Sequence, residues 1–216
     1  MKYRQLPRTE LLLPEVGFGV WTVATDWWGR MSEEQRAALL ENALELGVTF
    51  FDTADTYGEG YGEEILAKVL GHRRQELVLS TKFGYDFYDK TVTREGHQER
   101  PQKFDREFVI FACEQSLRRL RTDYIDLYQI HGHDPVTDIG ETLGALNDLV
   151  RAGKVRYVGC SNLTAWQLMK ALGISRQQGL AEFISTQSYY SIAGRELERE
   201  MIPLVEDQGL AVLPWS

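Results

Sequence analysis

The sequence predicts an α/β fold of the (β/α)8 TIM-barrel type, in a single domain over residues 1–216 that is incomplete at its carboxyl end. Three observations predict this fold. Runs rich in β-branched or aromatic residues alternate with helical patterns, which is typical of a parallel sheet covered by helices. A small hairpin predicted before the first of these runs could plug the bottom of a barrel, which favours a barrel over an open sheet. The glycine fingerprint of the rival open dinucleotide-binding sheet fails, because Thr22 stands where Gly17-x-Gly19 requires a third glycine.

The first residues predict a small β-hairpin, with strands at 2–6 and 10–13 and a turn at 7–9, which would plug the bottom of a barrel. Further strands, about seven in number, are expected because β-branched and aromatic residues suit a pleated, half-buried surface. They are predicted at 16–20, 48–51, 77–81, 124–130, 154–160, 183–186 and 210–215. A complete barrel closes eight strands over about 250 residues. We therefore expect this chain to lack the last helix, strand and helix of the barrel.

About six helices are predicted between the strands. Side chains that can cap a helix precede three stripes of apolar residues with helical spacing. These caps are Ser32 with Gln35, Asp105, and Thr164 with Gln167. A further stripe runs through 139–150, and a last helix after Gly194 is interrupted by Pro203.

Composition excludes several kinds of partner. The formal net charge of −8 repels phosphate backbones and anionic lipids, so neither nucleic acid nor a membrane surface is expected. Residues 1–10 lack the apolar segment of a signal peptide, and no stretch approaches the roughly 20 apolar residues of a membrane span. Cys113 and Cys160 fall in segments predicted to be buried, so we expect them to be reduced. These features predict a soluble cytoplasmic protein.

Polar residues at the strand ends mark the candidate site. Taken singly, each has a structural explanation in turn formation, solvation or helix capping. In a barrel, however, all these ends meet on one face, where such folds build their active sites. In chain order they are Trp21-Thr22, Asp52, Lys82, His131, Ser161-Asn162, Gln187 and Trp215-Ser216.

Four of the residue types fit the reduction of a carbonyl group. When hydride reaches the carbonyl carbon, the oxygen needs a proton donor and a polar pocket. Tyr57 can donate the proton, and we expect the cation of Lys82 to favour its ionised form. Asp52 can hold Lys82 charged and oriented, and His131 can donate a hydrogen bond to the same oxygen.

Several longer motifs carry a resemblance to a known family. The segment 47–58 reads GVTFFDTADTYG and resembles the signature of the aldo-keto reductase superfamily. Further similar segments are STKFG at 80–84, SLRRL at 116–120, DYIDLYQIH at 123–131 and GKVRYVGCSN at 153–162. The chain resembles bacterial aldo/keto reductases and is also similar to the potassium-channel β subunits that share their fold.

The resemblance implies a role for each candidate residue. Asp52, Tyr57, Lys82 and His131 would form a catalytic tetrad in an enzyme that reduces an aldehyde or ketone, or oxidises the alcohol. The implied cofactor is NADPH, with NADH left open. Ser161, Asn162 and Gln187 would hold its nicotinamide carboxamide, Trp215 would stack on the ring, Ser216 is a further candidate contact, and Trp21 and Trp28 would wall the substrate pocket.

Two other functions stay open at this stage. His131, His133 and Asp134 bring two imidazoles and a carboxylate to one strand end, as in metal-dependent hydrolases. The ligand count is low, so we predict no metal. The second alternative is a non-catalytic or cofactor-deficient interaction subunit, although potassium-channel subunits have an altered residue at the position of His131.

The long connection 83–104, rich in aromatic and charged residues, is expected to lie beside the substrate.

Overall fold

A computed structural model describes residues 1–27, 29–89 and 100–216. Seven parallel strands form one curled sheet in the order β3-β4-β5-β6-β7-β8-β9, and β1 and β2 form a separate antiparallel hairpin. The strands are β1 (Tyr3–Gln5), β2 (Leu12–Pro14), β3 (Phe18–Gly19), β4 (Phe50–Asp52), β5 (Val78–Phe83), β6 (Ile125–Ile130), β7 (Val155–Ser161), β8 (Phe183–Tyr189) and β9 (Ala211–Trp215). Sequential order with parallel pairing confirms the predicted barrel topology over these strands.

Helices connect successive strands and cover the outer face of the sheet. They are α1 (Trp21–Ala24), α2 (Glu33–Glu45), α3 (Tyr61–Leu70), α4 (Arg106–Leu120), α5 (Ile139–Arg151), α6 (Ala165–Gln178) and α7 (Met201–Gln208). The predicted caps form: Ser32 and Asp105 accept backbone hydrogen bonds at the starts of α2 and α4, and Thr164 begins a capping box at α6. Their apolar stripes pack against the strands in one large buried cluster.

The hairpin packs against the inner side of the sheet, as the sequence predicted. Leu6, Leu11 and Leu13 share a second buried cluster with side chains of β4, β6 and β8, among them Phe50 and Leu127. This apolar plug fills one end of the curled sheet. The polar strand ends lie at the other.

Several predicted boundaries were wrong. The first sheet strand has two residues, Phe18–Gly19, instead of 16–20, because the chain enters the short helix α1 at Trp21. The interrupted helix after Gly194 is instead a 3-10 turn at Glu196–Glu198 followed by α7. Pro203 is the third residue of α7, and a proline is tolerated in a first turn because the N–H groups there have no helical partner.

The sheet does not close on itself over the described ranges. β3 pairs only with β4, and β9 only with β8. A cleft of about 1260 Å³ lies between these two edges and runs from the hairpin to the carboxyl ends of the strands. Among the helices described, none is long and apolar enough to cross a membrane.

Candidate active site

The four predicted catalytic side chains lie together at the carboxyl edge of the sheet. Asp52 ends β4, Lys82 lies near the end of β5, and His131 directly follows β6. Tyr57 belongs to the loop between β4 and α3. Asp52, Tyr57 and His131 line the cleft, while the Lys82 side chain is 1% exposed and lies behind them.

Lys82 connects the other members of the group. Its Nζ donates to Asp52 Oδ2 at 2.5 Å, to the backbone oxygen of Thr53 at 2.8 Å and to Tyr57 Oη at 3.3 Å. An ammonium group has three donors, and here all of them are used. Lys82 is therefore held in a single position beside the phenol.

The electrostatics of this pair differ from the expectation for Tyr57. Burial lowers the pKa of Lys82, but Asp52 and Tyr57 outweigh that effect and the pKa is raised, so that Lys82 stays charged. Burial raises the pKa of Tyr57, and the opposing charge of Lys82 only reduces that rise. Tyr57 thus keeps its proton near neutral pH, which suits a proton donor.

His131 is held as a neutral imidazole. Burial, with the charge of Lys82 adding to it, lowers the pKa of His131 to about 3. The ring stands edge-on to Tyr57, with 5.8 Å between ring centroids, and edge-on to Tyr85, with 5.2 Å. A neutral imidazole carries one N–H, which leaves His131 able to donate to an oxygen in the cleft.

A tight loop fixes Tyr57. The backbone N–H of Tyr57 donates to the backbone oxygen of Ala54, and the backbone oxygen of Tyr57 accepts from the N–H of Gly62. Gly58, the next residue, has a φ of 61°, and a Cβ there would lie 2.5 Å from the backbone oxygen of Ala24. Only glycine meets both conditions without strain. The glycine of the GVTFFDTADTYG motif therefore supports the position of the phenol.

Asp52 has further partners that the sequence analysis missed. Its Oδ1 accepts from Ser80 Oγ at 2.8 Å, from Gln187 Nε2 at 2.9 Å and from Gln129 Nε2 at 3.3 Å. The signal was present in the strand alternation, because Ser80 and Gln129 stand two residues before Lys82 and His131 and so share their face of the sheet.

The residues expected at the cofactor meet at one end of the cleft. Ser161, Asn162, Gln187, Trp215 and Ser216 all line it. Asn162 Oδ1 accepts from Trp215 Nε1 at 3.2 Å, which fixes the half-exposed indole beside the amide. The backbone N–H of Asn162 donates to the backbone oxygen of Gln187 at 2.9 Å, which links the ends of the neighbouring strands β7 and β8.

This end of the cleft fits a nicotinamide group. An exposed indole face suits a flat heteroaromatic ring, and the side-chain amides of Asn162 and Gln187 combine donors and acceptors, as a carboxamide does. The Gln187 amide already uses one N–H on Asp52, which leaves its oxygen as the free acceptor.

The aromatic residues expected at the substrate have different outcomes. Trp21 lines the cleft and contacts Trp27, with 5.8 Å between ring centroids. Trp28 lies outside the described residues, as do residues 90–99 of the long connection. Tyr85 and Gln102 pair across the base of that connection, close to His131.

The residues considered as metal ligands under the alternative function make other contacts. Asp134 accepts from the backbone N–H groups of Val136 and Thr137, which closes a turn. His133 stands edge-on to Trp166. Over the described ranges, no group of three or more His, Cys, Asp or Glu side chains is arranged to hold a metal ion.

Comparison with known proteins agrees with this geometry. The family model of the aldo/keto reductase family matches residues 15–216. The chain belongs to the aldo/keto reductase family. The match spans the signature loop of Tyr57, all seven strands of the large sheet and the residues from Glu15 onward that line the cleft. The resemblance seen in the motifs is confirmed.

Individual relatives of this aldo/keto reductase chain are named as reductases. It is 36% identical to versiconal hemiacetal acetate reductase of Aspergillus parasiticus, covering 100% of this chain and 67% of that protein. It is 31% identical to aldo-keto reductase YhdN of Bacillus subtilis, covering 100% and 62%. The solved holo form of aldo-keto reductase AKR11C1 from Bacillus halodurans matches with a TM-score of 0.85 at 33% identity, covering 99% of this chain and 65% of that one. The chain thus spans about two thirds of these relatives.

Proposed function

We propose that this chain carries the active site of an NADPH-dependent oxidoreductase that reduces an aldehyde or ketone to an alcohol, or catalyses the reverse oxidation. The observation that carries the proposal is the setting of Tyr57. Its phenol lines the cleft, lies 3.3 Å from the Nζ of buried Lys82 and stands edge-on to neutral His131.

A bound nicotinamide cofactor would supply hydride to the carbonyl carbon. Tyr57 gives its proton to the carbonyl oxygen as negative charge develops there. His131 donates a hydrogen bond to the same oxygen and orients it. Lys82 stabilises the phenolate that remains, because an adjacent cation favours the charged form of a phenol. Asp52 keeps Lys82 in place through a contact of 2.5 Å.

The cofactor would lie against the strand ends of β7, β8 and β9. We assign Ser161, Asn162 and Gln187 to the carboxamide and Trp215 to the face of the nicotinamide ring. Ser216 lies at the same edge. NADPH is the cofactor expected from the family, and NADH is the alternative that the assay below compares with it.

The substrate is proposed to be a small carbonyl compound with an apolar or sugar-like body, because Trp21 lines the cleft beside Tyr57 and His131. Trp28 would extend this wall. The net charge of −8 argues against nucleic acid and anionic membranes as partners. Cys113 and Cys160 are buried free thiols, which agrees with the reducing cytoplasm as the compartment.

Turnover with a panel of aliphatic, aromatic and hydroxylated aldehydes tests the proposal. Each aldehyde is offered with NADPH and with NADH, and oxidation of the cofactor is followed. Tyr57→Phe should lower kcat by about 100-fold or more, the usual contribution of a general acid. Tyr157→Phe is the matched control, because it removes a phenol oxygen that accepts a hydrogen bond from the backbone N–H of Glu10, in the connection between β1 and β2. Equal activity in wild type and Tyr57→Phe would refute the mechanism.

A further inference from the structure

A polar layer lies beneath the proposed catalytic group, inside the curled sheet. Ser80 on β5, Gln129 on β6 and Ser185 on β8 are each 0% exposed. Barrel interiors are usually filled by bulky apolar side chains, and burying a polar group is costly unless it is hydrogen-bonded. Two of these residues direct their donors to one carboxylate oxygen, Oδ1 of Asp52.

Strand pairing explains how this arrangement arises. In the sheet register, Asp52 pairs with Ser80 and Lys82 pairs with Gln129. Paired residues on adjacent parallel strands point to the same face, as do residues two apart on one strand. Asp52, Ser80, Lys82 and Gln129 therefore form a block of four neighbours on the inner face of β4, β5 and β6.

The hydrogen bonds of this block are mutually dependent. Gln129 Nε2 donates to Ser80 Oγ at 2.9 Å and to Asp52 Oδ1 at 3.3 Å, and Ser80 Oγ donates to the same carboxylate oxygen at 2.8 Å. With Gln187 also on Oδ1 and Lys82 on Oδ2, Asp52 receives four hydrogen bonds. A carboxylate offers about four acceptor directions, so this one cannot rotate without losing a partner.

We propose that Ser80 and Gln129 are positioning residues that lock the Asp52 carboxylate and, through it, hold the Lys82 ammonium against the Tyr57 phenol. Neither side chain is exposed to the cleft, so neither touches a substrate or cofactor. They act by fixing the plane of the Asp52 carboxylate, so that one of its oxygens stays directed at Lys82. Without them the carboxylate is free to turn, and the contact between Lys82 and Tyr57 is no longer maintained.

The kinetic test rests on the proposed function. Gln129→Met keeps the length of the side chain but removes its donors, and Ser80→Ala removes the hydroxyl. Each should lower kcat by about tenfold while KM stays unchanged, since the lost interaction acts on the transition state and not on binding. In the oxidation direction, where Tyr57 must lose its proton, the pH midpoint of kcat should rise by about one unit, because the cation that favours the phenolate is displaced.

Two further variants separate positioning from a general loss of stability. Ser175→Ala removes a hydroxyl of a 1% exposed residue on α6, which donates to the backbone oxygen of Ala181 and not to Asp52. Its pH midpoint should match wild type. Ser80→Thr keeps a hydroxyl and should restore both kcat and the midpoint. Because Ser80 and Gln129 share one network, the double variant should lose little more kcat than either single variant.

Crystal structures of Ser80→Ala and Gln129→Met test the inference without any turnover. The expected result is a Lys82 Nζ to Tyr57 Oη separation beyond hydrogen-bonding distance, compared with 3.3 Å in the intact chain. Should Gln129→Met fail to fold, Ser80→Ala and Ser175→Ala still form a matched pair. Unmoved Asp52, Lys82 and Tyr57 side chains in the variants would overturn the inference. Absence of carbonyl reduction in wild type would instead overturn the proposed function alone.

Discussion

The neutral, buried imidazole of His131 makes a quantitative prediction about acid stability. In the folded chain its pKa is lowered to about 3, against an ordinary value of 6.5. At a pH between these two values, His131 is protonated in the unfolded chain and unprotonated in the native chain. Stability rises with pH wherever the unfolded state binds more protons. This residue therefore makes the fold progressively less stable as the pH falls from about 6.5 towards 3.

The size of the effect follows from the shift. Each pKa unit corresponds to about 1.4 kcal/mol, so His131 alone should remove about 2 kcal/mol of unfolding free energy between neutral pH and pH 5. Replacing it with phenylalanine, which cannot be protonated, should abolish that part of the pH dependence. Asp55 works in the opposite direction, because burial and the nearby Glu63 raise its pKa well above the ordinary value. That contribution is common to both proteins and cancels in their difference.

Urea unfolding at pH 7 and pH 5 measures the prediction directly. The loss of stability on acidification should be about 2 kcal/mol smaller in His131→Phe than in wild type. His72→Phe, which changes an exposed histidine, is the control and should follow wild type. An identical loss in wild type and His131→Phe would refute the claim that His131 is held neutral by the fold.

Three further predictions concern the scaffold. Asp126 is 1% exposed and forms ion pairs with Arg74 and Arg156. Asp126→Ala should therefore lower the free energy of unfolding by about 3 kcal/mol, measured with urea. A loss below about 1 kcal/mol, as for a surface ion pair, would contradict this prediction. Gly84→Ala should lower the melting temperature, because its φ is 136° and a Cβ would lie 2.4 Å from a buried phenylalanine ring, whereas Gly144→Ala in an open helical position should raise it. Over the described residues β3 and β9 each pair on one side only, so the 216-residue chain alone should self-associate in light scattering. A stable, cooperatively unfolding monomer would count against that expectation.

Much of the fold could be predicted because its signals are local. Strand runs, capping boxes and apolar stripes depend on neighbouring residues, and the caps at Ser32, Asp105 and Thr164 were found in this way. The short helix α1 and the late start of α7 were missed, because four residues carry too little periodicity to detect and Pro203 marks a first turn as readily as an interruption. Helix α3 was not located, although it begins within three residues of the motif that ends at Gly58.

The candidate site shows the same division. Asp52, Tyr57, Lys82 and His131 could be chosen from strand ends and motifs because their residue types fit one reaction. The direction of the pKa shift of Tyr57 could not be predicted from the sequence. It depends on whether the effect of burial exceeds that of the Lys82 charge, and burial is a property of the assembled sheet. The hydrogen bond from Ser80 to Asp52 could likewise not be predicted without the register between β4 and β5, which pairs these two residues.

The measurement that tests the role of Tyr57 most directly follows hydride transfer in a single turnover, with and without the phenol hydroxyl. The chain is mixed with an aromatic aldehyde and NADPH deuterated at the reactive C4 position, and deuterium at the alcohol carbon is measured by mass spectrometry. We predict deuterated alcohol from wild type and a rate of formation about 100-fold or more lower in Tyr57→Phe. Transfer at the wild-type rate in Tyr57→Phe would contradict the assignment of Tyr57 as the proton donor.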